Sequence, residues 1–233
     1  QYAGMGLDFI NENPEILEKV KNYSKILDIN IENYLNDEVL INDTKYTQPL
    51  MVVVEMIIHD YIVKKYDLKI DAYTGFSLGQ ITALYASGFY NDEDILKITR
   101  KRGELMQEAA LLNAGMMAAV IGLDDSVVSR IVNEINQTDT LVIANYNTLG
   151  QVVISGTKAA INKAVISLKE SGARRVMPLN VSGAFHSPLM KEAGLKLREF
   201  VKDYNNHLPS KDVYRNSNTL ILEIEYLLDE IDH

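Results

Sequence analysis

The sequence predicts an α/β protein that carries a second, smaller α/β unit as an insertion. Three observations predict it. Around Thr74–Gln80 (TGFSLGQ) a short apolar strand passes through a tight turn straight into a helical pattern. On both sides of that turn lie long helical stretches with apolar residues at three- and four-residue steps. From Gly115 to Asn180 the rhythm changes, and strand and helix patterns follow in the order β-α-β-β-α-β.

Each element has its own signal. Over 47–65, Leu50, Val53, Val54, Ile57, Ile58, Tyr61 and Ile62 recur at helical spacing. LKIDAYTG reads as a short buried strand over 68–74. The helix that begins at Leu78 stops at Gly88, a residue suited to a left-handed helix exit. The next helix, starting near Asn91, has acids in its first turn and bases further on, which matches the helix dipole. In the inserted unit, MMAAVIGL is a strand and 125–137 a helix. LVIAN and QVVISG are strands around the turn YNTLG, TKAAINKAVISLKESG is a helix ending at Gly172, and ARRVMPLNV is a last strand. That order is the ferredoxin-like plan. The tail from Val213 reads as a strand leading into an amphipathic helix. The opening residues QYAGMGLDF have no strand before them, and both ends read as truncated.

Composition narrows the function. With 233 residues, 47% of them apolar and 24% charged, the chain can bury a sizeable core. MVVVEMII is interrupted by Glu55, so no apolar run approaches the ~20 residues of a membrane span, and no signal peptide is evident. There are no cysteines. Disulfides and thiolate chemistry are therefore excluded, which suits a cytoplasmic protein. A net charge of −9 argues against nucleic acid as a partner. The basic cluster RKRGE (Arg100–Glu104) is short and reads as a solvated helix face, with one arginine available for another role. Four scattered histidines offer no metal cluster.

GFSLG fits the G-x-S-x-G elbow, in which a strained strand-to-helix turn presents a serine at the sheet edge. The turn demands small residues at both glycine positions, and the N–H of Leu78 is the natural first oxyanion donor. Ser77 would need a base. Of the histidines, His59 follows an apolar helix face and reads as structural, while His207 and His233 lie in polar surroundings. His186, in the Gly/Ser/Pro-punctuated loop SGAFHSPLM, is the best candidate.

Four segments in order, GFSLGQ, RKRGELMQ, ANYNTLGQVVISG and VSGAFHSPLM, resemble the malonyl-CoA:acyl-carrier-protein transacylases and the acyltransferase domains of polyketide and fatty acid synthases. The resemblance runs from residue 1 to about Asn218. It implies an α/β-hydrolase-like core with a parallel sheet, formed by 1–114 and 181–233, and a ferredoxin-like subdomain over 115–180. It further implies ping-pong transfer from malonyl-CoA, through an acyl-Ser77 ester with His186 as general base, to the phosphopantetheine thiol of an acyl carrier protein, with no bound cofactor. On the family pattern Arg102 would pair with the malonyl carboxylate, and Gln48 and Met106 would line the pocket. Phe185 would crowd an α-methyl branch, favouring malonyl over methylmalonyl. Arg174 and Arg175 are candidates for a basic patch facing the acidic carrier.

Departures from the family pattern set further expectations. Phe76 stands where histidine is usual, Leu149 where proline is common, and Gln80 where glutamate is usual, a change expected to matter little. Gln1 aligns with the last glutamine of a GQG-x-Q loop, so the second oxyanion donor would precede it, and the chain is expected to be the ordered part of a longer enzyme. Two other readings share Ser77 and His186: a serine hydrolase or thioesterase, and a non-catalytic carrier-docking module.

Overall fold

The structure is a computed structural model that describes residues 1–204 and 207–216. In chain order the elements are α1 (Leu7–Glu12), α2 (Pro14–Leu27), α3 (Ile31–Asn36), a 3-10 turn (Leu40–Asn42), α4 (Thr44–Tyr66), β1 (Ala72–Thr74), α5 (Leu78–Ala86) and α6 (Asp92–Leu112). There follow β2 (Gly115–Ile121), α7 (Asp125–Asn136), β3 (Leu141–Thr148), β4 (Gln151–Thr157), α8 (Lys158–Glu170), β5 (Arg175–Pro178), a 3-10 turn (Pro188–Met190), α9 (Lys191–Val201) and β6 (Asp212–Tyr214). The fold is α/β, and the described residues form one parallel and one antiparallel sheet. The helix expected in the tail, and His233, lie outside the described residues.

The chain forms two compact units, Gln1–Leu105 with described residues from Lys196 onward, and Met106–Leu195. In the first, β1 pairs parallel with β6, Thr74 opposite Tyr214. Helices α1, α2 and α3 are absent from the sequence expectations, although α2 buries Ile16, Val20, Tyr23 and Leu27 at helical spacing behind Pro14 in its first turn. Asn30 caps α3 by accepting the Asn33 N–H at 2.9 Å. The strand expected over 68–74 shortens to Ala72–Thr74. Its first residues serve the exit of α4 instead: Asp67 turns left-handed at φ 47°, and the Leu68 N–H donates to the Val63 carbonyl at 3.2 Å.

In the second unit the antiparallel sheet runs β3-β4-β2-β5. Ala118, Val120, Val152 and Ile154, alternating along β2 and β4, pack with Val128, Ile131 and Ile135 of α7 and Ile161, Ala164 and Leu168 of α8 into one apolar core. Asp124 and Thr157 cap α7 and α8 through their side-chain oxygens. The β3–β4 turn is tighter than the expected YNTLG, because Thr148 already pairs with Gln151. Gly150, at φ 70°, turns the chain with the exposed Leu149.

Candidate active site

Between β1 and α5 only Gly75, Phe76 and Ser77 turn the chain. Ser77 absorbs the bend, with φ 50° and ψ −107°, a conformation that non-glycine residues rarely hold and that costs on the order of 1–3 kcal/mol. The close approach falls on Gly75. A Cβ there would lie 2.0 Å from the Gly79 carbonyl carbon and 2.3 Å from the Gln80 nitrogen, so no side chain fits. At Gly79 a Cβ meets nothing within 4 Å, and the demand for a small residue expected at both glycines rests on Gly75 alone.

The amides of the turn are divided among distinct acceptors. The Gly79 N–H donates to the Phe76 carbonyl at 2.9 Å and the Gln80 N–H to the Ser77 carbonyl at 3.1 Å. The Ser77 N–H donates to Oδ1 of Asn216 at 3.1 Å. That leaves the Leu78 N–H, the first amide of α5, with no acceptor among the described residues. A free first-turn amide at the positive end of a helix dipole can stabilise an oxyanion formed on an atom bonded to the Ser77 hydroxyl.

Gln80 is part of the structural frame here. It is only 5% exposed, and its Oε1 accepts the backbone N–H of Asn216 at 2.9 Å, so the residue belongs to the frame of the elbow. Phe76, the neighbour of Ser77, is exposed.

Arg102 and Gln48 meet because two helices approach closely. A Cβ on Gly103 would lie 3.0 Å from the carbonyl oxygens of Thr44 and Lys45, so α6 rests on the first turn of α4 at a glycine. Pro49, inside α4, has no N–H to bond the Lys45 carbonyl four residues back. At this crossing Arg102, 8% exposed, donates from Nη1 to Oε1 of Gln48, 6% exposed, at 2.5 Å. Burial lowers the guanidinium pKa to about 10, so it remains a cation at neutral pH. Among the described residues no carboxylate pairs with it, and its acceptor is a neutral amide. A buried cation so placed favours an anionic ligand, for which a planar guanidinium fork suits a carboxylate. Met106 lies one turn further along α6 and is half-buried.

His186 and Phe185 share the turn before the 3-10 segment Pro188–Met190, within the second unit. His186 has φ 55°, the left-handed region. Its loop is pinned on either side. Ser187 Oγ donates to the Ala184 carbonyl at 2.6 Å, and Nδ2 of Asn113 donates to the Leu189 carbonyl at 3.1 Å. A Cβ on Gly183 would sit 2.7 Å from the Ala110 methyl, so glycine lets the loop pass the end of α6.

The other candidates are elsewhere. His59 lies between Asp60 Oδ1 at 3.0 Å and the Tyr73 hydroxyl at 3.2 Å, a structural setting. His207 is exposed, as are Arg174 and Arg175 at the start of β5. Among the described residues no group of His, Asp and Glu is placed to hold a metal ion, and no helix is long and apolar enough to cross a membrane. Asn216 was not among the sequence candidates, for an asparagine just past a three-residue strand carries no signature of its own.

The profile of the acyl transferase domain family matches residues 1–224. A malonyl CoA-acyl carrier protein transacylase of Staphylococcus aureus (strain MSSA476) is 39% identical over 194 residues, which cover 82% of this chain and 62% of that relative. One of Haemophilus influenzae is 32% identical over 219 residues, 93% of this chain and 70% of the relative. Among solved structures, a type II polyketide synthase acyl-carrier protein in complex with its malonyl-transacylase matches with TM-score 0.94 and 29% identity, over 99% of this chain and 76% of the other. The chain thus spans 62% of the length of the S. aureus relative.

Proposed function

We propose a malonyl-transfer reaction from the premise that this chain belongs to the acyl transferase domain family, among the malonyl-CoA:acyl-carrier-protein transacylases. The substrates are malonyl-CoA and the phosphopantetheine thiol of an acyl carrier protein, a pairing that the complex of a related transacylase with its carrier supports. The pathway is fatty acid or polyketide synthesis.

In the first half-reaction His186 takes the Ser77 hydroxyl proton as Oγ bonds to the thioester carbonyl carbon. The oxyanion is met by the Leu78 N–H. As the carbon–sulfur bond breaks, His186 returns the proton to the CoA thiolate and a malonyl ester remains on Ser77. In the second half-reaction the carrier thiol gives its proton to His186 as its sulfur bonds to the ester carbonyl carbon; the bond from that carbon to Ser77 Oγ then breaks, His186 returns the proton to Oγ, and the malonyl group leaves as a thioester of the carrier. Arg102, oriented by Gln48, holds the free malonyl carboxylate; Met106 lines the acyl site and Phe185 restricts α-branching. The observation that carries the malonyl assignment is the buried Arg102 guanidinium with a neutral partner, because an ordinary esterase pocket has no use for a buried cation.

The finer architecture belongs to the same proposal. The strand–elbow–helix of β1 and α5 with the parallel partner β6 supports an α/β-hydrolase-like core over 1–114 and 181–233. The β3-β4-β2-β5 order with two helices supports a ferredoxin-like subdomain over 115–180.

The test is a two-step label transfer. The protein is incubated with radiolabelled malonyl-CoA, digested to locate the label, and a parallel sample is chased with holo carrier protein. Label on Ser77 that moves to the carrier is the expected result. Label lost only to water identifies a hydrolase, and no label at Ser77 overturns both enzymatic readings.

A further inference from the structure

We infer that Asn216 is a positioning residue for the Ser77 nucleophile, an assignment that rests on the reading of Ser77 given above. β1 and β6 run parallel with Thr74 opposite Tyr214, so the chain leaving each strand emerges at the same sheet edge. From β1 it reaches the elbow; from β6 it reaches Asn216. There the asparagine bonds the elbow twice with different groups. Its side-chain Oδ1 accepts the Ser77 N–H at 3.1 Å, and its backbone N–H donates to Oε1 of the buried Gln80 at 2.9 Å.

These two bonds act on different parts of the turn. Ser77 holds φ 50°, and its N–H cannot join the α5 ladder because it precedes the helix. Without an acceptor, that amide would be a lone polar group favouring rotation of the Ser77 peptide toward a relaxed conformation. Asn216 supplies the acceptor and so holds the plane that aims the Ser77 hydroxyl. Gln80, in the first turn of α5, holds Asn216 in place. The result is a closed bracket, Ser77 to Asn216 to Gln80 and back through the first turn of α5, with the Leu78 N–H left outside it. This also gives a physical role to the buried amide at position 80. An acceptor oxygen is what the bracket needs there, and either a glutamine or a glutamate supplies one.

The experiment uses the full chain and reads two rates at Ser77: acylation by malonyl-CoA under saturating conditions, and labelling by a fluorophosphonate, which needs no malonyl recognition. Asn216→Ala removes the acceptor, and Asn216→Asp retains it. Gln80→Glu retains the anchor, and Gln80→Leu removes it. Asn216→Ala is expected to slow both rates roughly 10- to 100-fold, the scale of a displaced catalytic group, with KM for malonyl-CoA within about twofold of the parent. Asn216→Asp and Gln80→Glu should stay within about threefold of the parent. The double variant Asn216→Ala/Gln80→Leu should be no slower than Asn216→Ala alone, since both break one bracket. Unchanged rates in Asn216→Ala, or a lowered Tm with both rates intact, would overturn the assignment. If Asn216→Ala fails to fold, the slowed rates of Gln80→Leu and their preservation in Gln80→Glu decide the question. A parent that takes the fluorophosphonate at Ser77 but never malonyl refutes the proposed function, while the fluorophosphonate series still decides the role of Asn216.

Discussion

The Nη1 of Arg102 donates to Oε1 of Gln48 across 2.5 Å, joining two buried residues that are 54 positions apart in the chain. The partner is an amide, so the contact orients the guanidinium without neutralising it. What remains is a cation taken out of water whose charge is still available to a ligand. Glycine at 103 is the reason the two helices lie close enough for this.

Replacing Arg102 by alanine should therefore act on the acyl group and not on acylation in general. The expected loss in kcat/KM for malonyl-CoA is about 2–4 kcal/mol, roughly 30- to 1000-fold. Acetyl-CoA, which has no carboxylate, should be used no worse than by the parent. Arg102→Lys should recover only part of the malonyl rate, because an ammonium lacks the two-pronged geometry. Loading rates for the two donors, measured side by side, check this; equal losses for both would remove the carboxylate role.

Gln48→Glu tests the same pair from the other side. A carboxylate at 48 would neutralise Arg102 internally and compete with the ligand for it. KM for malonyl-CoA should rise about tenfold or more, while thermal stability holds or increases because a buried cation gains a partner. Steady-state kinetics alongside a melting curve separate the two effects. A fall in stability together with an unchanged KM would contradict the expectation.

The elbow glycines should behave oppositely. Gly75→Ala places a methyl within 2.0 Å of the Gly79 backbone, where nothing flexible can yield, so the variant should lose several degrees of Tm or fail to fold. Gly79→Ala meets open space inside a helix and should raise stability by up to about 1 kcal/mol. Melting temperatures of the pair give the answer. A tolerated Gly75→Ala would mean that the turn relaxes in solution.

Legibility in the sequence followed the range of the interaction that decides each feature. The elbow, the acid-first helix α6 and the alternating strands β2 and β4 are set by neighbours in the chain, and periodicity with turn residues reveals them. The helix α2 has equally clear spacing at Ile16, Val20, Tyr23 and Leu27, and was readable in principle. By contrast, the shortening of the first strand depended on Leu68 giving its N–H to Val63, a choice between two plausible uses of one amide. The importance of Gln80 was hidden for a stronger reason. Its partner Asn216 lies 136 residues away, and only the parallel pairing of β1 with β6 makes them neighbours. Arg102 was recognisable through its family pattern, but its neutral partner and its burial are products of packing.

Acid stability rests on a cluster of polar side chains around Asp60. Asp60 accepts from Lys19 Nζ at 2.6 Å and from the Tyr85 hydroxyl at 2.6 Å, with His59 Nδ1 at 3.0 Å from its other oxygen. Lys19 also faces Asp92 at 3.3 Å, and Asp92 accepts from Tyr23. Burial acts to raise the Asp60 carboxyl pKa, but the hydrogen bonds from His59, Lys19 and Tyr85 outweigh it and hold it at about 2, below the ordinary 3.8. A carboxyl depressed in the folded state stabilises the fold above its unfolded pKa, and that contribution is lost as pH falls from about 4 to about 2. Because the side chain remains 35% exposed, solvent screening limits the contribution to about 1 kcal/mol, or roughly 2–4 °C in Tm for a chain of this size. Asp60→Asn should melt lower than the parent at pH 6, and the two curves should converge as pH approaches 2. Melting profiles that stay parallel across that window would show that the Asp60 charge does not link α2, α4 and α5.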